Sequence, residues 1–269
     1  MQLYKILMPL ALTAILISGC DKAKKDDGGD EPSDSYTPAK VLKDRTISSS
    51  VLGMTIKYSV WLPPTYDENK SYPVLFLLHG HEYDTSDAHN GWLKQGSLNS
   101  IATSYVRDGG EPFIIVTPNG QNAFYMDNFD KRQLKYGTFF LDEFIPQIEK
   151  TYKGNGKRAI AGLSMGGFGT LYHCFLNPGK WTYAYACSPV AGGLQELLKN
   201  CDKASLPGIS IETGLDDNIV GIEDATALSE LMDELGIEHE FITRRGSHSW
   251  DFWKGCLPKV LKKVGESFK

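Results

Sequence analysis

The sequence predicts an α/β fold with a mostly parallel central sheet and helices on both faces. Short, continuous apolar runs such as "YPVLFLLHG" (72–80) and "EPFIIVTPNG" (111–120) are typical of strands that are buried on both sides. Segments with helical spacing of apolar residues separate such runs along most of the chain, and this alternation favours a parallel sheet covered by helices. With 269 residues, 41% of them hydrophobic, the chain is long enough to bury one sizeable core.

The individual elements follow from local patterns. The alternating stretch "MTIKYSVWLPP" (54–64) predicts an antiparallel strand, with which "KVLKDRTISSS" before it could pair. Residues 136–152 predict a helix that is kinked at Pro146. The remaining predicted elements are a strand at 157–164, a helix at 165–178, strands in "WTYAYACSPV" and "GISIETG", a helix at 224–236 ended by Gly236, a strand and turn at 238–250, and a tail helix containing Pro258.

The first forty residues predict export and a tether. The apolar run "ILMPLALTAILI" is short for a bilayer span, and "ISGC" after it is similar to a bacterial lipobox. Residues 1–19 are therefore predicted to be a lipoprotein signal peptide and Cys20 the lipid anchor; the alternative is an ordinary signal peptide with a coincidental cysteine. Residues 20–40 are charged and predict a flexible tether, so the folded domain spans 41–269. We expect an exported protein, lipid-anchored to the outer membrane of the bacterial cell envelope, with "KKDD" a weak sign of surface exposure.

Charge and cysteine content limit the partners and the redox state. A formal net charge of −5 argues against nucleic-acid binding and against membrane contact other than through the N-terminal lipid. The expected compartment permits disulfides, and the remaining four cysteines allow three complete pairings among which the sequence does not choose. Those cysteines are Cys174, Cys187, Cys201 and Cys256. Cys187 lies in an apolar strand pattern and is equally consistent with a buried thiol. The sequence leaves the oligomeric state open.

The stretch "AGLSMGGFGT" (161–170) carries the strongest chemical signal. Gly162, Ser164 and Gly166 form the pattern G-x-S-x-G between a predicted strand and a predicted helix, which is typical of a nucleophile elbow. The helix would begin directly after the serine, so its free N–H groups would favour developing negative charge. Ser164 is thus the candidate nucleophile, the alternative being a tight turn with a capping serine.

A serine nucleophile needs a histidine base and an acid that follow it in the chain. His248 lies in the turn after the last strand and is the candidate base, whereas His239 lies inside a strand pattern. Asp216 and Asp217 follow the strand before it; Asp217 is the favoured acid, and Asp216 stays open because either one could cap the next helix. Glu212 falls within that strand and is the weaker candidate.

Two backbone N–H groups should form the oxyanion hole, those of Met165 and His81. His79, His81 and His89 with nearby aspartates offer a rival metal site, but their spacing matches no common metal motif, so we predict neither a metal nor a cofactor. His173 is expected to be structural. Aromatic residues near predicted loop ends are candidates either for a substrate pocket or for core packing: Trp92, Phe124, Tyr125, Trp250 and Trp253.

These motifs resemble those of the esterase D-like α/β-hydrolases over residues 41 to 265. "LLHGHEYDTSDAHNGW", "VTPNG", "AGLSMGGFGTL", "GLDDN" and "GSHSWDFW" occur in the order found in that group, which includes feruloyl and acetylxylan esterases of carbohydrate esterase family 1, S-formylglutathione hydrolase and siderophore esterases. The resemblance implies the α/β-hydrolase fold, a triad of Ser164, Asp217 and His248, and an oxyanion hole at His81 and Met165. One departure is that "HEYDTSD" replaces the family's glycine-rich stretch.

The implied activity is hydrolysis of carboxylic esters by an exported serine esterase through an acyl-enzyme. An exported, tethered esterase fits polymer degradation, so the expected substrates are feruloyl or acetyl groups on xylan-type polysaccharide. A siderophore or other small-ester hydrolase is a second reading. A catalytically idle carbohydrate-binding lipoprotein is a third, from another class.

Overall fold

The computed structural model describes residues 37–269, so the predicted signal peptide, Cys20 and most of the predicted tether lie outside the described residues. The strands are β1 Lys40–Ser49, β2 Met54–Leu62, β3 Tyr72–Leu78, β4 Ile114–Pro118, β5 Gly154–Leu163, β6 Tyr183–Cys187, β7 Gly208–Gly214 and β8 Glu240–Arg244. The α-helices are α1 Gly91–Lys94, α2 Leu98–Arg107, α3 Tyr136–Phe139, α4 Ile145–Tyr152, α5 Met165–Leu176, α6 Gln195–Asn200, α7 Glu223–Glu234 and α8 Trp250–Ser267.

The eight strands form one sheet in the order β1-β2-β4-β3-β5-β6-β7-β8. From β4 to β8 every neighbouring pair is parallel, whereas β1 pairs antiparallel with β2, and β2 pairs antiparallel with β4. The carboxyl ends of β3 to β8 therefore meet at one edge, where loops can bring side chains together. The predicted fold class is confirmed, and the predicted pairing of the first two strands is observed.

Two hydrophobic cores cover the two faces of the sheet. Val74, Phe76 and Leu78 of β3 point into one core, and Leu75 and Leu77 point into the other. This alternation explains the unbroken apolar run of β3, because both of its faces are buried. Helices α4, α5 and α7 pack on the first face, and α2 and α8 on the second.

Two prolines in predicted helices affect the helix differently. Residues 136–152 form α3, a π-helical turn at Phe140–Phe144, and α4, with Pro146 in the first turn of α4. The Ile145 N–H donates to the Phe140 carbonyl five residues back, so the wide turn replaces the expected simple kink. Pro258 lies inside α8, which continues through it.

Several elements have no counterpart in the sequence prediction: a 3-10 turn at Thr85–Asn90, α1, α2 and α6. Of these, α1 and α6 have only four and six residues, too few for a periodic signal, whereas α2 has ten. Cys174, Cys187, Cys201 and Cys256 are all free thiols, so the described domain contains no disulfide. Within residues 37–269, no helix has both the length and the apolar character needed to cross a bilayer.

Candidate active site

The turn between β5 and α5 holds Ser164 in a strained backbone conformation. Its φ is +53° and its ψ is −117°, a region that non-glycine residues rarely adopt and that costs about 1–3 kcal/mol. The turn is fixed on both sides, because the Ser164 N–H donates to the Cys187 carbonyl at 2.9 Å and the Ser164 carbonyl accepts from the Phe168 N–H at 3.0 Å. The hydroxyl therefore projects from a rigid turn at the carboxyl edge of the sheet.

The flanking glycines are required because strand and helix pass very close. A Cβ at Gly162 would lie 2.4 Å from the carbonyl oxygen of Gly166. A Cβ at Gly166 would lie 2.6 Å from the carbonyl oxygens of both Leu78 and His79 at the end of β3. No side chain fits at such distances, so the glycine spacing of the elbow follows from packing of α5 against β5 and β3.

Three side chains from three loops form a continuous hydrogen-bonded chain. Ser164 Oγ lies 2.9 Å from His248 Nε2, and His248 Nδ1 lies 2.7 Å from Asp217 Oδ2. The Asp217 side chain is fully buried and the His248 side chain is 11% exposed, so the chain is largely shielded from water. This is the arrangement in which histidine can accept a proton from the serine while the carboxylate orients the ring.

The two adjacent aspartates occupy different positions. Asp217 Oδ1 accepts from the backbone N–H groups of Ile219 and Val220 at 3.1 and 3.2 Å, which leaves Oδ2 for His248. Asp216 instead bonds to the histidine loop: its Oδ2 accepts from the Gly246 N–H at 2.9 Å, and its own N–H donates to the Gly246 carbonyl at 3.0 Å. Asp217 thus contacts the candidate base, and Asp216 joins the two loops.

Glu212, the weaker acid candidate, contacts neither His248 nor Ser164. Its buried carboxylate accepts from Tyr185 Oη and Arg244 Nε at 2.6 Å and from Lys259 Nζ at 2.5 Å. Burial works against its ionisation, but the hydrogen bonds from Lys259, Tyr185 and Arg244 outweigh burial and lower the pKa of Glu212. The group ties β6, β7, β8 and α8 together behind the site.

Tryptophans pack behind His248. The Trp253 ring meets the His248 ring edge to face at a centroid distance of 4.8 Å, and Trp250 packs on Trp253 at 5.4 Å. Trp92 is buried beside Trp250, and its Nε1–H donates to the Leu78 carbonyl at 3.0 Å. These aromatic residues orient the histidine loop, which favours packing over the substrate-pocket alternative for Trp92 and Trp253.

The loop after β3 carries His81 past the nucleophile turn. A Cβ at Gly80 would lie 3.3 Å from the Ser164 Cβ, so the two turns touch directly. Met165 is the first residue of α5, and its N–H therefore has no partner within the helix. The described chain offers no backbone acceptor to the His81 N–H. Neither amide is therefore occupied by a hydrogen bond to the described backbone, which the predicted oxyanion hole requires.

His79, which the sequence suggested only as a rival metal ligand, braces this loop. Its Nδ1–H donates to the Gly80 carbonyl at 2.6 Å and its Nε2 accepts from the Gly120 N–H at 2.7 Å. Burial lowers the pKa of His79 to about 4, which keeps the ring neutral. Tyr125 adds a second brace, because its hydroxyl contacts the His79 N–H and carbonyl at 3.0 and 3.1 Å. Only the position of His79 directly after a buried strand could have indicated this role.

His79, His81 and His89 do not converge on one ligand group. In residues 37–269, the set of side chains that brings three possible ligand atoms within 4.8 Å is Asp44, Asp87 and His89. There the His89 Nε2–H donates to Asp44 Oδ1 at 2.9 Å, and Asp87 pairs with Lys94. Asp44 and His89 link β1 to the 3-10 turn, and Asp87 is paired with Lys94 and Asn90, while the buried His89 Nδ1 has no partner in the described chain.

Comparison with known proteins is consistent with this geometry. The family model described as "Putative esterase" matches residues 49–264. A curated endo-1,4-beta-xylanase/feruloyl esterase of Xylanibacter ruminicola is 28% identical over 236 residues, which is 83% of this chain and 31% of that protein. The chain thus spans less than a third of that relative. An acetyl esterase of Caldicellulosiruptor saccharolyticus is 25% identical over 265 residues, 83% of this chain and 94% of that protein.

Among solved structures, a ferulic acid esterase superposes with a TM-score of 0.78 at 30% sequence identity, covering 87% of this chain and 100% of that chain. The family match covers most of the described domain, and both the α/β-hydrolase fold and the resemblance to esterase D-like enzymes are confirmed. The chain belongs to the esterase family of α/β-hydrolases, a family of carboxylic-ester hydrolases.

Proposed function

We propose that this protein is a serine esterase in which Ser164 is the nucleophile, His248 the general base and Asp217 the orienting acid. The observation that carries the proposal is the hydrogen-bonded chain from Ser164 Oγ through His248 to the buried Asp217. These hydrogen bonds lie at the carboxyl edge of a parallel sheet, where ligands of such folds bind. The protein that contains them belongs to the esterase family.

In the first half-reaction, Ser164 Oγ attacks the ester carbonyl carbon while His248 Nε2 accepts the hydroxyl proton. The carbonyl oxygen becomes an oxyanion, which the N–H groups of Met165 and His81 stabilise. Asp217 holds the Nδ1–H and stabilises the imidazolium. The tetrahedral intermediate then collapses, and His248 gives its proton to the leaving alcohol oxygen, which leaves an acyl-Ser164.

In the second half-reaction, water attacks the acyl carbonyl and gives a proton to His248. The same two amides stabilise the second oxyanion. Collapse breaks the bond to Ser164 Oγ, which takes the proton back from His248, and the carboxylic acid departs. No cofactor is needed for either half.

We propose feruloyl or acetyl groups on xylan-type polysaccharide as the ester substrates. The names of the relatives support this class: one combines a xylanase with a feruloyl esterase, one is an acetyl esterase, and the solved relative is a ferulic acid esterase. A siderophore or other small ester is the second candidate, and the substrate test below distinguishes it from the first.

Attachment to the cell envelope through Cys20 is a further part of the proposal, supported by the lipobox-like "ISGC". Metabolic labelling with radioactive palmitate tests it: the parent chain incorporates label, and Cys20→Ala does not. Labelling of Cys20→Ala would contradict a lipid anchor at this position.

The catalytic proposal is tested with Ser164→Ala in the domain from residue 37 onward, assayed on p-nitrophenyl acetate. The expected loss in kcat is about 10⁶-fold, because no other group replaces the nucleophile. Ser247→Ala, which removes an exposed hydroxyl one residue before His248, is the matched control and should retain activity. Full activity of Ser164→Ala would overturn the mechanism. An inactive parent would instead favour the catalytically idle alternative.

The substrate is tested by acid release from feruloylated and from acetylated arabinoxylan. Ferulate release supports a feruloyl esterase, and acetate release alone supports an acetylxylan esterase. Turnover of p-nitrophenyl acetate with neither product would contradict the polysaccharide substrate and favour a small ester.

A further inference from the structure

Exposed apolar side chains are concentrated at the carboxyl edge of the sheet. Six large hydrophobic residues are exposed in the described domain, and four of them lie on loops that leave the carboxyl ends of β3, β4 and β7. These four are Tyr83, Phe129, Leu215 and Ile219. Exposed apolar groups gathered around one edge indicate a binding surface, whereas scattered ones need no explanation.

The strand order places these groups on both sides of Ser164. Ser164 follows β5, while β3 and β4 lie on one side of β5 and β6 and β7 on the other. With strands about 4.8 Å apart, the loops from β4 to β7 span about 19 Å across the site. A ligand that contacts both sides is therefore extended, and a small ester would leave most of the surface in water.

The loops that carry Tyr83 and Phe129 are fixed to each other. The Glu82 N–H donates to Asn122 Oδ1 at 3.1 Å, and Asn122 Nδ2 donates to the Glu82 carbonyl at 2.6 Å. This pair of bonds lies one residue before Tyr83, whose side chain is nonetheless fully exposed. The loop that replaces the family's glycine-rich stretch is thus a rigid support for an exposed aromatic ring.

Phe129 is held in place by a second aromatic ring. It stacks on Phe124 with centroids 4.1 Å apart, and Phe124 packs edge to face on Phe168 of α5 at 5.4 Å. Phe124 has a φ of +50°, a strained value, and Phe129 is still 46% exposed. Strain that supports a half-exposed ring next to the nucleophile helix points to a binding role for that ring.

We propose that Tyr83 and Phe129 form an aromatic platform that binds sugar residues of a polysaccharide chain beside the ester. The inference rests on the proposed esterase function. It adds that the two rings contact the sugar residues of the substrate rather than its acyl group. An aromatic face complements the C–H face of a pyranose ring, and an uncharged chain needs no ionic partner there. The flexible sugar chain then lies across loops that are already ordered, so little entropy is lost in the protein.

The test compares two substrates that share one acyl group. For Tyr83→Ala, Phe129→Ala and the double variant, KM is measured on a feruloylated arabinoxylan oligosaccharide and on methyl ferulate. We expect each single change to raise KM for the oligosaccharide about 3- to 10-fold and to leave kcat and the methyl ferulate parameters as in the parent. Leu176→Ala, which removes an equally exposed side chain at the end of α5, is the control and should change neither KM.

Equal losses on both substrates would overturn the platform, because the rings would then contact the acyl group. An unchanged KM for the oligosaccharide would also overturn it. Binding of Ser164→Ala protein to unesterified arabinoxylan in affinity electrophoresis separates this inference from the esterase proposal. Retardation that Tyr83→Ala reduces supports the platform even if no ester is hydrolysed, and absence of retardation contradicts it.

Discussion

At the scale of single residues, the two neighbouring aspartates of the site have different contacts: Asp217 bonds to His248, and Asp216 bonds to Gly246. Both lie in the same turn, where the Asp217 N–H donates to the Gly214 carbonyl at 3.2 Å, yet only Asp217 is buried against His248. The sequence could predict the residue types and their order, because the elbow pattern fixes them. It favoured Asp217 but left Asp216 open, since the choice depends on which side chain the turn directs inward.

Exchanging each aspartate for asparagine separates the two roles. Asp217→Asn should lower kcat about 10⁴-fold, because an amide would favour the wrong histidine tautomer. Asp216→Asn keeps an oxygen acceptor for the Gly246 N–H and should stay near the parent activity, whereas Asp216→Ala loses that bond and should lower kcat moderately. Steady-state kinetics on p-nitrophenyl acetate provides the readout. A larger loss in Asp216→Asn than in Asp217→Asn would reverse the assignment.

At the scale of elements, the close approach of α5 to β5 and β3 sets the geometry of the elbow. The sequence predicted this strand, turn and helix well, since glycines and apolar residues alternate there in a recognisable pattern. It missed α1, whose four residues are too few for a periodic pattern, and it also missed α2, a ten-residue helix that packs against α8. The π-helical turn before α4 was missed as well.

Gly166→Ala tests the required distance between these elements. The new Cβ would lie 2.6 Å from backbone carbonyl oxygens of β3, which cannot move as a side-chain tip can, so α5 must shift. We expect a loss of about 1–3 kcal/mol in the free energy of unfolding, together with a fall in kcat as Ser164 moves from His248. Chemical denaturation and ester kinetics measure the two effects.

Gly179→Ala is the matched control, because its nearest neighbouring atom lies 4.0 Å away and the position is exposed. It should retain both stability and activity. If Gly166→Ala behaved like Gly179→Ala, the close contact at the elbow would not be needed for the site.

At the scale of the whole molecule, buried polar groups join the loops after β3 and β4 to helix α5. His79 lies in the loop after β3 and His173 in α5, and the carbonyl of Tyr125 accepts from His173 Nε2 at 2.7 Å. Burial lowers the pKa of both His79 and His173 to about 4. The fold therefore holds two neutral histidines in its interior, which links its stability to pH.

The sign of this link follows from the two pKa values. In the unfolded chain each histidine has a pKa of about 6.5, so between pH 6.5 and 4 the unfolded state binds protons that the folded state does not. The contribution of each neutral ring to the free energy of unfolding is fully present above pH 6.5. It falls as the pH drops through this window, by about 2 kcal/mol for each ring at pH 5. Protonation of His173 would also leave its Nδ1–H buried without an acceptor in the described chain.

His173→Gln should remove one of these two contributions while keeping a donor for the Tyr125 carbonyl. Between pH 6 and 5, its free energy of unfolding should fall less steeply than that of the parent, by about 1.2 kcal/mol per pH unit. Denaturant titrations at several pH values give this slope directly, whatever the stability of the variant at pH 7. Parallel pH profiles for His173→Gln and the parent would mean that His173 accepts a proton in the folded state, and α5 would then have to open toward water at mildly acidic pH.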